Sequence, residues 1–213
     1  MSTDPLVRAT RRMGVRDERV LSAIAEVDRR LFVPQGETDA ADQDRPIPIP
    51  HGQTTSQPSL IATMVDALEL TGTENVLEVG TGLGYQAAVL SRLAATVTSV
   101  ERFPELAAAA RDNLAAADSD NVQVVVGDGT KGWPENAPYD AIIVAAAFPE
   151  VPAPLAEQLS DGGRLIQPIG AGGMEEVALF RRDGEQISRV RDVVGARFVR
   201  LVGEHGFADE RPS

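Results

Sequence analysis

A chain of 213 residues with 43% hydrophobic and 24% charged residues has the length and the mix of one globular domain with a sizeable core. It has no cysteine, which excludes disulfides, thiolate nucleophiles and cysteine-bound metal clusters, and two histidines, His51 and His205, are too few for a histidine-rich metal site. The formal net charge of −12 repels phosphate backbones, so nucleic acid is not an expected partner.

Residues 5–13 and 17–28 read as two short helices. Asp17 stands at the N-cap of the second, where Val20, Leu21, Ile24 and Val27 recur at helical spacing. Charges scattered through the first twenty residues leave no apolar core for a signal peptide, and no apolar run approaches the ~20 residues that span a bilayer. The expected compartment is the cytoplasm, with no membrane partner. Residues 35–46 (QGETDAADQDRP) form an acidic, turn-rich stretch, expected as a solvated loop, with a mobile flap as the alternative.

From residue 58 the pattern becomes regular. Helices are expected at 58–70, 85–94, 104–117 and 151–159, and short apolar strands at 75–80, 96–101, 121–128, 139–147 and 162–170. This alternation predicts a doubly wound, Rossmann-like α/β sheet. Two alternating runs around Asp183-Gly184 predict a hairpin, and 196–203 a further strand, so antiparallel strands should close the C-terminal edge. One domain is expected over 1–213. Residues 1–57 form a helical segment and active-site loop, 58–170 a cofactor-binding core, and 171–213 the C-terminal strands and tail.

The strand NVLEVG runs into GTGLGY and then a helix, so Gly80, Gly82 and Gly84 lie where ligands sit in such sheets, beyond the carboxyl ends of the strands. Tyr85 occupies the third glycine position of a dinucleotide fingerprint, which counts against a dehydrogenase, and no GK[ST] follows. A glycine loop alone fits a mere tight turn equally well. Three carboxylates add to it. Glu101 ends the next strand and can accept both hydrogen bonds of a ribose diol. Asp128, in Gly127-Asp128-Gly129, can accept from an exocyclic adenine amine. Glu78 can orient loop amides or an ammonium. Each could instead be an ordinary polar residue at a strand end. Together they describe a site for an adenosine without phosphates, and S-adenosylmethionine fits, with its cationic sulfonium and ammonium.

Four stretches, LEVGTGLGYQAAVL, GQTTSQPSLIATMVDAL, GDGTKGWPENAPYDAIIVAAA and FVRLVGEHGF, resemble the protein-L-isoaspartate (D-aspartate) O-methyltransferases, a class I S-adenosylmethionine-dependent family. The similarity runs from about residue 14 to 207. The resemblance implies methyl transfer to the α-carboxylate of isoaspartyl residues in damaged proteins. The ester then collapses to a succinimide that reopens partly to aspartate. It also implies extra N-terminal helices and a reordered C-terminal end of the sheet. It assigns catalysis to Ser56, within Thr54-Thr55-Ser56-Gln57-Pro58, and places Thr55 beside the substrate carboxylate. It assigns Gly80 and Gly82 to the methionine part of the cofactor, Glu101 to the ribose, and Asp128 with Gly129 to the adenine. Glu78, Thr81 and Arg102 complete the expected cofactor set, and no metal is implied. An ionised carboxylate needs no general base; it needs alignment and exclusion of water. Without the resemblance, Ser56 and Thr55 would read as a helix N-cap.

Four positions depart from the family pattern: Thr55 for an apolar residue, Ser59 for an aromatic or histidine, Leu83 for a small residue and Arg200 for proline. Two alternatives stay open: a related carboxyl methyltransferase with a different peptide acceptor, and a non-catalytic S-adenosylmethionine-binding module. A monomer is expected, because no exposed apolar helix stands out.

Overall fold

The computed structural model describes residues 4–209. Helices α1 (Pro5–Arg12) and α2 (Glu18–Glu26) open the chain. Each is started by an aspartate: Asp4 accepts the amides of Leu6 and Val7 at 2.7 and 3.1 Å, and Asp17 accepts that of Arg19 at 2.8 Å. Two 3-10 turns, Arg29–Phe32 and Gln35–Ala40, lead into a small antiparallel hairpin of β1 (Ile47–Ile49) and β2 (Gln53–Thr55).

The acidic stretch is mostly exposed, as a solvated loop should be, but it is anchored to the fold. Ala41 and Ile47 are fully buried with Val33 and Ala40 in a cluster of their own, and the carbonyls of Ala41, Gln43 and Arg45 all accept from the Arg29 guanidinium. A buried cation that needs acceptors is what anchors this stretch.

The regular part follows as α3 (Pro58–Ala67), β3 (Asn75–Val79), α4 (Tyr85–Ser91), β4 (Thr96–Glu101), α5 (Pro104–Ala116), β5 (Val122–Val126), β6 (Tyr139–Val144), α6 (Ala153–Gln158), β7 (Leu159–Ile169), β8 (Glu175–Asp183) and β9 (Gln186–Ala196). These seven strands form one sheet in the order β5-β4-β3-β6-β7-β8-β9. The first five pair in parallel; β7-β8 and β8-β9 are antiparallel. The hairpin at Asp183-Gly184 forms where expected, with Gly184 at a φ of +61° in its turn.

Alternation along the strands sorts the core into two layers. Val76, Val97, Ala141 and Ile143 meet α1 to α5 on one face, while Leu77, Val79, Val100 and Ile142 face the opposite layer with Leu155 of α6. The N-terminal helices thus extend one face rather than forming a separate core.

Residues 196–203 do not form the further strand expected of them. They turn away from the sheet edge and cross the carboxyl end of β6, where Ala147 donates to the Val199 carbonyl and accepts from Leu201, both at 2.8 Å. Single bridges, Ala147 with Arg200 and Val202 with Phe207, replace a ladder. Alternating hydrophobicity here serves a crossover that puts residues 199–202 over the end of the sheet.

Candidate active site

A pocket lies at the carboxyl ends of β3 and β4, lined also by the β1–β2 hairpin and by residues 199–202. The loop after β3 supplies its floor. Gly80, Gly82 and Gly84 have φ values of +97°, +57° and +98°, which only glycine adopts without strain. A Cβ on Gly82 would stand 3.3 Å from Ile49 Cδ1, and one on Gly129 only 2.5 Å from Val79 Cγ1. The backbone is thus pressed close at both ends of the pocket, where a ligand must pass.

The structure brings Thr55, Ser56, Gly80, Thr81, Gly82, Glu101, Arg102 and Gly129 together in the pocket wall. Glu101 Oε2 accepts the Gly82 amide at 2.8 Å and Oε1 the Phe103 amide at 3.0 Å, which aims the carboxylate at the loop and leaves lone pairs for a diol. Burial raises its pKa, against the lowering effect of these backbone amides.

Glu78 and Asp128 are not in the wall. Glu78 is fully buried behind it and accepts the Ser99 hydroxyl, which is also 2.5 Å from that of Thr81. Its Oε1 has no partner, and neither do Gln86 Nε2 and the Tyr85 hydroxyl, on two residues that do line the pocket. Burial, with the charge of Glu101 adding to it, pushes the Glu78 pKa up to about 8, so the group is mostly protonated at neutral pH. A cation bound nearby would release that proton.

Asp128 is more committed than its sequence position suggests. Oδ1 accepts from the Thr130 amide at 2.9 Å and hydroxyl at 2.6 Å, and Oδ2 from the Glu204 amide at 2.8 Å. Burial alone would raise its pKa, but these donors outweigh it and hold the group below the ordinary carboxylate range. Arg102 pairs with Asp209, so the tail is tied across the same end of the pocket twice.

The hydroxyl-rich loop is not a helix cap. Neither Thr55 nor Ser56 caps α3; the amide of Ser59 is taken instead by Asp44 at 2.9 Å, which also accepts the Ser59 hydroxyl at 2.8 Å and the Gln57 amide group at 2.9 Å. Among the described residues the Ser56 hydroxyl makes no hydrogen bond, and it faces the pocket. Of the four departures, Ser59 is fully buried outside the wall, Leu83 lines the wall while packing on Ile49, Phe103 and Leu106, and Arg200 lies over the Phe207 ring at 5.0 Å. His51, which had no expected role, stacks on Phe103 at 4.3 Å. Sequence reasoning missed Arg29, Asp44, Tyr85 and Gln86.

The residues fit an adenosine-bearing cation. Carboxylates and orphaned buried polar atoms surround a glycine loop that carries no basic side chain. The sequence model of the protein-L-isoaspartate(D-aspartate) O-methyltransferase family matches residues 1–206. A protein-L-isoaspartate O-methyltransferase 2 of Pelobacter propionicus is 52% identical over 195 residues, covering 91% of this chain and 87% of that one. A protein-L-isoaspartate O-methyltransferase of Methanoculleus marisnigri is 48% identical, covering 99% of both. A solved protein-L-isoaspartate O-methyltransferase superposes with a TM-score of 0.83 at 31% identity, over 94% of this chain and 66% of that longer one. A Plasmodium falciparum structure in complex with S-adenosyl-L-homocysteine shares the fold, with a TM-score of 0.78 at 22% identity over 95% of this chain and 99% of that one. By these matches across nearly its whole length, the chain belongs to the protein-L-isoaspartate(D-aspartate) O-methyltransferase family.

Proposed function

We propose that this protein transfers a methyl group from S-adenosylmethionine to the α-carboxylate of isoaspartyl residues in damaged proteins and peptides. The observation that carries the reading is the unbonded Ser56 hydroxyl on the same pocket wall as Glu101 and the glycine loop. When bound, S-adenosylmethionine supplies an electrophilic methyl group on a sulfonium. Glu101 would accept from its ribose, the backbone at Gly80 to Gly82 would stand by its methionine part, and Gly129 by its adenine. Glu78, behind the wall, has a carboxylate oxygen that would be available to an ammonium.

The acceptor carboxylate is already ionised at neutral pH, so it needs no base from the protein. The chain's task is to hold the carboxylate in line and keep water out, worth many orders of magnitude in effective concentration. Ser56 and Thr55 hold it with hydroxyls, which orient an anion without neutralising it. Catalysis thus needs no cysteine or histidine.

The net charge of −12 supports protein over nucleic acid as partner. Among the described residues no helix is long and apolar enough to cross a membrane. We place the protein in the cytoplasm on its cysteine-free composition. The test is formation of S-adenosylhomocysteine that requires an isoaspartyl peptide. Tight cofactor binding without such turnover would favour a non-catalytic module.

A further inference from the structure

Arg29 is 2% exposed, yet no carboxylate pairs with it among the described residues. Its Nη1 donates to the carbonyls of Ala41 and Gln43 at 3.3 and 2.8 Å. Its Nη2 donates to the Arg45 carbonyl at 2.9 Å, the Thr55 hydroxyl at 3.0 Å and the Ser56 carbonyl at 3.3 Å. The guanidinium also stands 5.6 Å from the centre of the Tyr85 ring, and Nε has no acceptor at all. Its hydrogen bonds all end on neutral oxygens, with the charge of Asp44 acting from beyond ion-pairing distance, and a further anion near a buried cation relieves its cost. An arginine cannot escape by losing its proton.

What lies on the far side of those contacts is the pocket, lined by Thr55, Ser56 and Tyr85. Thr55 Oγ1 accepts from Arg29, so its single O–H proton is left to donate elsewhere. Thr55 is only 8% exposed, and that exposure is in the pocket wall, where the acceptor carboxylate is read to lie. Ser56, one residue on, has its carbonyl 3.3 Å from the same nitrogen, so the guanidinium also touches the backbone that carries the second hydroxyl.

We propose that Arg29 is a positioning residue that acts through Thr55: it orders the Thr55 hydroxyl as a second donor, beside Ser56, to the acceptor carboxylate, and its unpaired charge favours an anionic acceptor. The inference rests on the reading of the site as one for a carboxylate acceptor. It gives the threonine at position 55 a purpose, because an apolar residue there would leave the guanidinium facing the substrate with nothing between to carry its effect. Hydrogen bonds that end on a charge are the stronger ones, and this relay places such a bond on a substrate that carries charge of its own.

The test compares the full-length wild type with T55V, T55S and R29K on an isoaspartyl peptide. T55V should raise KM for the peptide about tenfold or more, leave kcat within about threefold and leave cofactor Kd unchanged, and T55S should restore KM. R29K should raise KM in the wild-type background and add little in the T55V background, because both changes break one relay. If R29K does not fold, an unchanged KM in T55V still overturns the relay, because the hydroxyl is its only path to substrate. An active wild type whose T55V variant keeps its KM, or effects of T55V and R29K that add in full, would overturn the relay while leaving the proposed function standing. A wild type that binds the cofactor but is inert toward the peptide would overturn the proposed function, and the relay with it.

Discussion

The Asp128 carboxylate accepts the backbone amide of Glu204 at 2.8 Å, pinning the chain's tail to the loop that follows β5. The fit is close: a Cβ on Gly203 would stand 2.0 Å from Asp128 Oδ1. With Lys131 paired to Glu204 and Arg102 to Asp209, the Gly129 end of the pocket is flanked by residues far apart in sequence. An aspartate read as a ligand contact is first a clasp.

Asp128→Asn should therefore weaken both cofactor binding and the fold. The amide keeps one acceptor oxygen where the carboxylate has two, and turns an N–H toward one of its donors. We expect a loss of about 2 kcal/mol, or a Tm lower by ~5 °C, with cofactor Kd raised about tenfold. Thermal melts and calorimetric titration check this. A weakened Kd with an unchanged Tm would mean that Asp128 is only a ligand contact.

Ser56→Ala should separate chemistry from folding. The hydroxyl has no hydrogen-bonding partner among the described residues, so Tm and cofactor Kd should not change. The methyl-transfer kcat should fall about a hundredfold, the usual order for loss of one transition-state donor. Single-turnover kinetics with bound cofactor measure it directly.

Glu101→Gln keeps shape but removes charge from a group that receives the Gly82 and Phe103 amides. Its single carbonyl oxygen cannot serve both amides and a ribose diol. Cofactor Kd should rise at least tenfold, while KM for the peptide at saturating cofactor stays near the wild-type value. A peptide KM that rises with Kd would place Glu101 in the acceptor site instead.

Glu78 should make stability fall with pH. Its pKa is pushed up from 4.5 to about 8, chiefly by burial, so between these values the folded chain holds a proton that the unfolded chain has lost. The contribution is complete below about 4.5 and is lost as pH rises through 8. Glu78→Gln cannot titrate. The wild type should lose several degrees more of Tm than E78Q between pH 5 and pH 8.5, by a difference of order a few kcal/mol. Parallel curves would show that Glu78 stays charged in the fold.

The sheet was legible because its strands are apolar runs bounded by glycine, with a hairpin marked by Asp183-Gly184. The pocket wall was legible in part: the glycine loop, Glu101 and Gly129 fall where their positions beyond strand ends put them, while Ser56 and Thr55 were marked only by the family resemblance. Asp128 and Glu78 stand outside the wall, and nothing local in the sequence tells a carboxylate in the wall from one beside it. Arg29 and Asp44 gave no signal. An arginine after a short helix and an aspartate in an acidic loop both read as solvated, and only the fold shows one buried and the other capping α3. The strand expected over 196–203 failed for a related reason: alternation reports two environments and not a neighbouring strand.

The central claim is tested most directly with methyl-labelled S-adenosylmethionine and two peptides that differ only in isoaspartate or aspartate at one position. The account predicts base-labile label on the isoaspartyl peptide alone. Label on both peptides, or on neither while the cofactor binds, would contradict it.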